Sequence, residues 1–102
     1  MINLYKNGKL EFNLNGSIEN NKFLSENIIY DFKKRILVRN EDDYRLTLDF
    51  INCKCLIKLI NYNQELSLPI EIVEIIEDDK QLNIKYKMES EKDILNELEV
   101  IF

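Results

Sequence analysis

Histidine, tryptophan and alanine are absent from the chain, and these absences narrow the chemistry it can perform. Without an imidazole, Ser-His and Cys-His nucleophiles and most zinc catalysis are excluded, so no enzyme activity is predicted. The lack of alanine, together with many Ile, Asn and Lys residues, lowers helix propensity and favours strands. One proline and two glycines leave no flexible linker or low-complexity tract.

Long apolar runs and a surplus of positive charge are also missing. No run approaches the ~20 apolar residues of a membrane span, and the first residues lack the features of a secretion signal. We therefore expect a cytoplasmic protein with no membrane partner. The net charge is -5, and the basic run Lys33-Lys34-Arg35 with Arg39 is largely cancelled by Asp31 and Glu41-Asp42-Asp43. Because nucleic-acid binding needs a basic stripe, no nucleic-acid partner is predicted.

Two cysteines are too few for a disulfide framework, and this agrees with a cytoplasmic location. On a strand, Cys53 and Cys55 would share a face, where two sulfurs could clasp a soft ion such as Cu(I). Burial as small apolar residues is favoured, because Lys54 and Lys58 take the outward positions. The acidic triplets 41–43 and 77–79 lack the spacing of a calcium loop and indicate solvated turns. Neither a metal nor a cofactor is predicted.

A period of two in hydropathy runs through most of the chain and predicts an all-β, curled antiparallel sheet with one apolar face. The length of 102 residues and the 45% apolar composition fit a single domain over 1–102. The strongest pattern is a final hairpin that turns around Glu91-Lys92-Asp93. Its predicted register pairs 82 with 102, 84 with 100 and 86 with 98, and sets Lys85 and Lys87 opposite Glu99 and Glu97.

Other strands follow the same alternation. Ile2 and Leu4 are expected to pair with Phe12 and Leu10 across a three-residue loop, Lys6 to Gly8, with Gly8 left-handed. Alternation also predicts strands over 44–50 and 53–59, separated by a tight turn at Ile51-Asn52. Between 66 and 75 the apolar residues switch from even to odd positions. This switch predicts a bulge near Ile72-Val73.

Residues 21–36 fit two structures. Leu24, Ile28, Phe32 and Ile36 recur every four residues, as in a short helix capped by Ser25 or Asn21. Ile28, Tyr30 and Phe32 also alternate as in a strand, and this cluster of β-branched and aromatic residues favours strands. Both alternatives stay open.

The closing third of the chain resembles the uncharacterised calycin-like bacterial proteins of the YwiB type. The similarity lies in Leu82, Ile84, Tyr86 and Met88 and in the segment from Asn96 to Val100. This resemblance implies a small antiparallel up-and-down β-barrel of about eight strands, similar in shape to fatty-acid-binding proteins and lipocalins. It implies no activity and no functional residues.

Two hypotheses for function follow. The first is a barrel that binds a small apolar or amphipathic ligand inside, with Tyr30, Tyr44 and Tyr86 as candidate ligand-binding residues, because a buried hydroxyl needs a partner. The second is a protein interaction module that uses an acidic outer face or an open edge strand. A cavity beside the tyrosine hydroxyls would favour the first, whereas a filled core with an exposed apolar patch or an open edge would favour the second.

Overall fold

The computed structural model describes all 102 residues and consists of strands with one short 3-10 turn. The all-β prediction is confirmed, and the structure has eleven strands where about eight are predicted. The strands are β1 (Ile2–Lys6), β2 (Lys9–Leu14), β3 (Ser17–Glu19), β4 (Lys22–Leu24), β5 (Ile28–Asp31), β6 (Ile36–Asn40), β7 (Tyr44–Asp49), β8 (Lys54–Leu59), β9 (Gln64–Glu77), β10 (Gln81–Met88) and β11 (Glu91–Ile101), and the 3-10 turn spans Ile60–Tyr62. No helix is long and apolar enough to cross a membrane.

The chain forms two compact units. The terminal unit comprises Met1–Gly16 and Ile70–Phe102, and the central unit comprises Ser17–Pro69. Hydrogen-bonded neighbours in the terminal unit follow the order β2-β1-β11-β10 and the second half of β9. In the central unit the order is the first half of β9, then β8-β7-β6-β5-β4-β3. All pairs are antiparallel. Every hydrogen-bonded pair except β1 with β11 joins strands that are consecutive in the chain, which is an up-and-down order.

Alternation places one apolar face on each unit. In the terminal unit β10 and β11 alternate buried and half-buried residues along most of their paired length. In the central unit one row runs straight across the register, from β4 to β8, and all its members are buried: Phe23, Tyr30, Leu37, Leu48 and Cys55. Removing such a large side chain from water stabilises the fold by roughly 1.5–3 kcal/mol.

The final hairpin keeps the predicted faces but not the predicted register. Leu82 pairs with Val100, Ile84 with Leu98 and Lys85 with Glu97, a shift of two residues from the prediction. The turn is formed by 89–90, between the ends of β10 and β11, rather than by 91–93. The pairing of β10 with β11 is irregular beside this turn, because Tyr86 pairs with Asn96 whereas Met88 pairs with Glu91. A two-residue shift leaves every side chain on the same face, so alternation could not reveal it.

The first hairpin also differs from its prediction. Its turn has two residues, Asn7 and Gly8, both with positive φ (50° and 80°), as an Asn-Gly turn of type I′ requires. Leu10 therefore pairs with Tyr5, and Phe12 pairs with Leu4. The register shift between Leu4 and Tyr5 leaves Glu11 unpaired as a bulge. This bulge restores the apolar face that a regular two-residue hairpin would have scrambled.

Residues 21–36 form strands β4 and β5 with the start of β6, and contain no helix. Ser25 closes the intervening turn, because its backbone N–H and its hydroxyl both bond to the carbonyl of Ile28 (3.0 and 3.1 Å). The strand alternative is therefore the observed one. The stabilisation from burying Ile28 and Tyr30 on one face of a strand outweighs the helical tendency indicated by apolar residues at every fourth position.

The bulge predicted near Ile72-Val73 is confirmed. Ile72 pairs with Tyr86 and Glu74 pairs with Lys85, so Val73 has no opposite residue in β10. Apolar side chains consequently move from even to odd positions at this point, and Ile75 pairs with Ile84.

Candidate functional site

The three tyrosines predicted to bind a ligand are divided between the two units. Tyr30 is fully buried in the central unit, where its ring packs edge-on against Phe32 with 5.1 Å between ring centroids. Tyr44 is half-buried in the same unit, four residues along β7 from the level of Tyr30. Four residues of strand span about 13 Å, so the backbones of these two tyrosines are well separated within the sheet. Tyr86 is 7% exposed and belongs to the terminal unit.

The cysteines do not form the pair that the sequence suggested as an alternative. The prediction that Cys53 is buried on a strand is wrong, because Cys53 lies in the turn before β8 with a left-handed backbone (φ 56°) and is half-buried. Cys55 lies on the apolar face of β8 and is buried. Burial raises the pKa of the Cys55 thiol. Its surroundings are those of a core residue, as the predicted outward positions of Lys54 and Lys58 require.

Polar side chains form a network on the outer face of the terminal unit. Asn3 donates to Oε1 of Glu99 (2.8 Å) and accepts from Nδ2 of Asn13 (2.6 Å), while Tyr5 donates to the same oxygen of Glu99 (3.3 Å). Partial desolvation and the charge of Glu99 raise the pKa of Tyr5. These bonds cross three strands and hold the outer face in one arrangement.

The most exposed apolar strand segment is the second half of β9, from Ile70 to Glu77, which we call the β9 edge. It pairs with β10 on one side. On the other side it has no strand partner, because β8 pairs only with Gln64–Pro69. Val73 and Ile76 on this edge are 51% and 47% exposed. Exposed apolar side chains beside unpaired backbone groups are the features to which an extended segment can be added as a strand.

The β9 edge is also strongly acidic. Glu71, Glu74 and Glu77 are exposed, and Asp78 and Asp79 follow in the next turn. One neighbouring cation, Lys85, lies 3.6 Å from Glu74, and both side chains are substantially exposed. An exposed ion pair of this kind contributes little, so Glu74 can exchange it for a contact with a partner.

These charges oppose pairing of the edge with a second copy of itself. In the symmetric antiparallel alignment centred on Glu74, that residue would face its own copy. Like charges directly opposite one another destabilise a strand pair. The bulge at Val73 weakens pairing with any added strand, whether a second copy or another protein, so charge is what distinguishes the two partners. A positively charged partner would instead be attracted to the carboxylates of the edge.

The sequence suggested an open edge without saying which strand would form it. Two features of the sequence could have identified the β9 edge. One is the change of parity at Ile72-Val73, and the other is the group of acidic residues Glu71, Glu74, Glu77, Asp78 and Asp79. Together they mark a strand whose apolar residues cannot all face one core and whose polar residues carry a single sign of charge.

Comparison of this chain with known protein families, with curated proteins and with solved structures gives no match.

Proposed function

We propose that this protein is an interaction module that binds an extended segment of a partner protein along the β9 edge. The observation that carries the proposal is that Ile70–Glu77 has a strand partner on one side only and bears exposed apolar and acidic side chains. Main-chain hydrogen bonds would supply affinity, and side chains at alternate positions would supply specificity. The proposal assigns no catalysed reaction.

The register of β9 and β10 indicates the chemistry of the partner segment. Glu71 and Glu74 share the outer face with Lys87 and Lys85, whereas Ile75 shares the apolar face with Ile84. A strand added beside β9 would place its own side chains on the same two faces. The matching segment therefore alternates Lys or Arg on the outer face with Val, Ile or Leu on the apolar face.

A peptide that alternates lysine and valine tests this proposal, with a glutamate and valine peptide as the control. We expect the lysine peptide to shift the backbone amide signals of residues 70–77 in a saturable way in NMR spectra of the whole chain. Replacing Glu71 and Glu74 by Gln should weaken binding by about three- to tenfold, the effect of losing two exposed charge pairs. The matched control replaces Glu89 and Glu91 by Gln, which changes the net charge equally but lies in and beside the β10–β11 turn.

Two results would contradict the proposal. Equal binding of the lysine and glutamate peptides would remove the argument from charge. Signal shifts confined to residues outside the β9 edge would show that the open side of this strand is not the binding surface.

A closed calycin-like barrel that holds a small apolar or amphipathic ligand is our second candidate. Its support is the burial of Tyr30 and Tyr86, two of the three tyrosines predicted to bind a ligand, and the resemblance to proteins of the YwiB type. Native mass spectrometry of protein purified from its own cells distinguishes the candidates. A co-purifying small molecule supports the barrel, and a co-purifying protein chain supports the interaction module. We place either function in the cytoplasm, where free thiols such as those of Cys53 and Cys55 persist.

A further inference from the structure

Two hairpin loops of the central unit share one construction. The β5–β6 loop covers 32–35, and the β7–β8 loop covers 50–53. Each follows an aspartate at the end of a strand and begins with phenylalanine. Each also ends in a residue with a left-handed backbone, Arg35 (φ 53°) or Cys53 (φ 56°). The repeated pattern in the sequence is Asp-Phe followed by three residues and a strand.

The aspartate fixes each loop by accepting two backbone N–H groups. Asp31 Oδ1 accepts from Lys33 and Lys34, both at 3.0 Å. Asp49 Oδ1 accepts from Ile51 at 3.1 Å and from Asn52 at 3.0 Å. Side-chain oxygens that bond to the backbone in this way define the shape of a turn. Both loops are therefore held in a set conformation without help from a ligand.

A direct hydrogen bond holds the two loops side by side. The backbone N–H of Phe50 donates to the carbonyl of Arg35 over 3.0 Å. Pairing of Ile36 with Asp49 in the adjacent strands β6 and β7 sets the distance between the loops. The result is a preformed site on a rigid scaffold, a common place for binding residues.

An open groove of about 460 Å³ lies between the loops. Its lining residues come from both loops and from the strand ends that carry them: Lys33, Lys34, Ile36, Asp49, Ile51 and Asn52. The groove is wide open to solvent, so its lining residues and not its volume would select a ligand. The lining combines two ammonium groups with two isoleucine side chains.

The carboxylate in the groove is occupied by bonds within its own loop. Oδ2 of Asp49 accepts from Nδ2 of Asn52 over 2.8 Å, in addition to the two backbone bonds to Oδ1. Partial burial opposes ionisation of Asp49, but the hydrogen bonds from Asn52 and Ile51 outweigh it and lower the pKa. The ammonium groups of Lys33 and Lys34 are exposed and form no ion pair within 4 Å. Asp49 keeps its negative charge, and Lys34 also interacts with Asp31, so the attraction for an anion comes from the excess of two lysines over one carboxylate in the lining.

We infer that this groove binds an organic phosphate monoester with a small apolar body. Two lysines on adjacent residues match a phosphate group, whose charge at neutral pH is between -1.5 and -2. Ile36 and Ile51 supply apolar surface for the organic part of the ligand. Because salt screens the attraction between the lysine ammonium groups and the phosphate, we expect binding to be strongest at low ionic strength.

Phenyl phosphate is the probe, titrated into the whole chain at low ionic strength and followed by NMR of the backbone amides. We expect saturable shifts at Lys33, Lys34, Ile51 and Asn52. The double variant Lys33→Gln/Lys34→Gln should bind about tenfold more weakly, because it loses two charge-assisted contacts. Folding should persist, since the turn bonds use the backbone N–H groups of these residues. The control variant Lys80→Gln/Lys92→Gln loses the same charge at exposed positions of the terminal unit and should bind as the original chain does.

Three results would overturn the inference. Shifts that do not saturate would show that no site exists. Equal weakening in both double variants would show a general effect of net charge. Equal affinity for inorganic phosphate and phenyl phosphate would show that Ile36 and Ile51 do not contact the organic part.

Discussion

Asn3 donates its side-chain amide to Oε1 of Glu99 over 2.8 Å, and this bond joins the first strand to the last across 96 positions of sequence. Asn3 is 6% exposed although it lies on the outer face, because the neighbouring polar side chains cover it. Glu99 in turn accepts from Tyr5. The network therefore supports the pairing of β1 with β11, which brings the two ends of the chain together.

Replacement of Asn3 by Ala should lower the free energy of unfolding by about 1–3 kcal/mol, because it removes a donor from Glu99 and an acceptor from Asn13. Urea unfolding monitored by circular dichroism measures the change. Asn61→Ala at an exposed position is the control, expected to stay within about 0.5 kcal/mol of the original chain. A change of the same small size for Asn3→Ala would show that the network does not contribute to stability.

The two glycines should respond differently to alanine. Gly8 has φ of 80°, and a Cβ added there meets no atom within 4 Å, so the cost of Gly8→Ala arises from the backbone conformation alone. We expect a loss of about 1–2 kcal/mol in thermal or urea unfolding. Gly16 has no positive φ, and Gly16→Ala should be neutral or slightly stabilising, because alanine reduces the freedom of the unfolded chain. Equal effects at both positions would contradict the two-residue Asn7-Gly8 turn.

The two thiols should differ in reactivity. Cys55 is buried with a raised pKa, so little thiolate is present and a reagent cannot reach it without an opening of the sheet. Cys53 is half-buried in a turn. We expect Cys53 to react with a thiol reagent at least about tenfold faster at mildly alkaline pH. Single Cys53→Ser and Cys55→Ser variants assign the two phases, and faster labelling of Cys55 would disprove its place in the core.

Acidification should lower the stability of the central unit through the β5–β6 and β7–β8 loops. Hydrogen bonds from the backbone of Lys34 and Lys33 lower the pKa of Asp31, and those from Asn52 and Ile51 lower that of Asp49 despite its partial burial. A carboxyl whose folded pKa is depressed contributes stability above its unfolded pKa, near 3.8, and loses this contribution as the pH falls through the folded value.

Unfolding curves recorded between neutral pH and about pH 2 test this dependence. The variant Asp31→Asn/Asp49→Asn should be less stable at neutral pH but should lose less stability on acidification. Asp93→Asn, which removes an exposed carboxyl with no such backbone bonds, should follow the original chain. An unchanged acid dependence in the double variant would exclude these two carboxylates as its source.

The sequence by itself determined which face the residues of the closing strands would take. Ile84 and Leu98 are predicted inside and are fully buried. The parity switch at Ile72-Val73 located the bulge at Val73, because an inserted residue reverses the alternation that follows it. These features are local, since a period of two depends only on neighbouring residues and on the apolar or polar character of each.

Tertiary structure alone decided the register of the final hairpin. Leu82 pairs with Val100 rather than with Phe102, and alternation cannot distinguish these arrangements because they differ by two residues. The irregular part of β11 is fixed instead by the first hairpin: Asn7 donates its backbone N–H to the carbonyl of Leu95 and accepts the N–H of Leu95 at Oδ1. No pattern within residues 81–102 contains that contact.

The candidate sites likewise depend on which strands become neighbours. The open side of the β9 edge results from β8 pairing only with Gln64–Pro69, and the groove beside Lys33 and Asn52 results from the pairing of β6 with β7. The sequence supplied the acidic and basic residues in both places. Their assembly required long-range hydrogen bonding between strands, whose partners are chosen by the whole sheet and not by the hydropathy of any one segment.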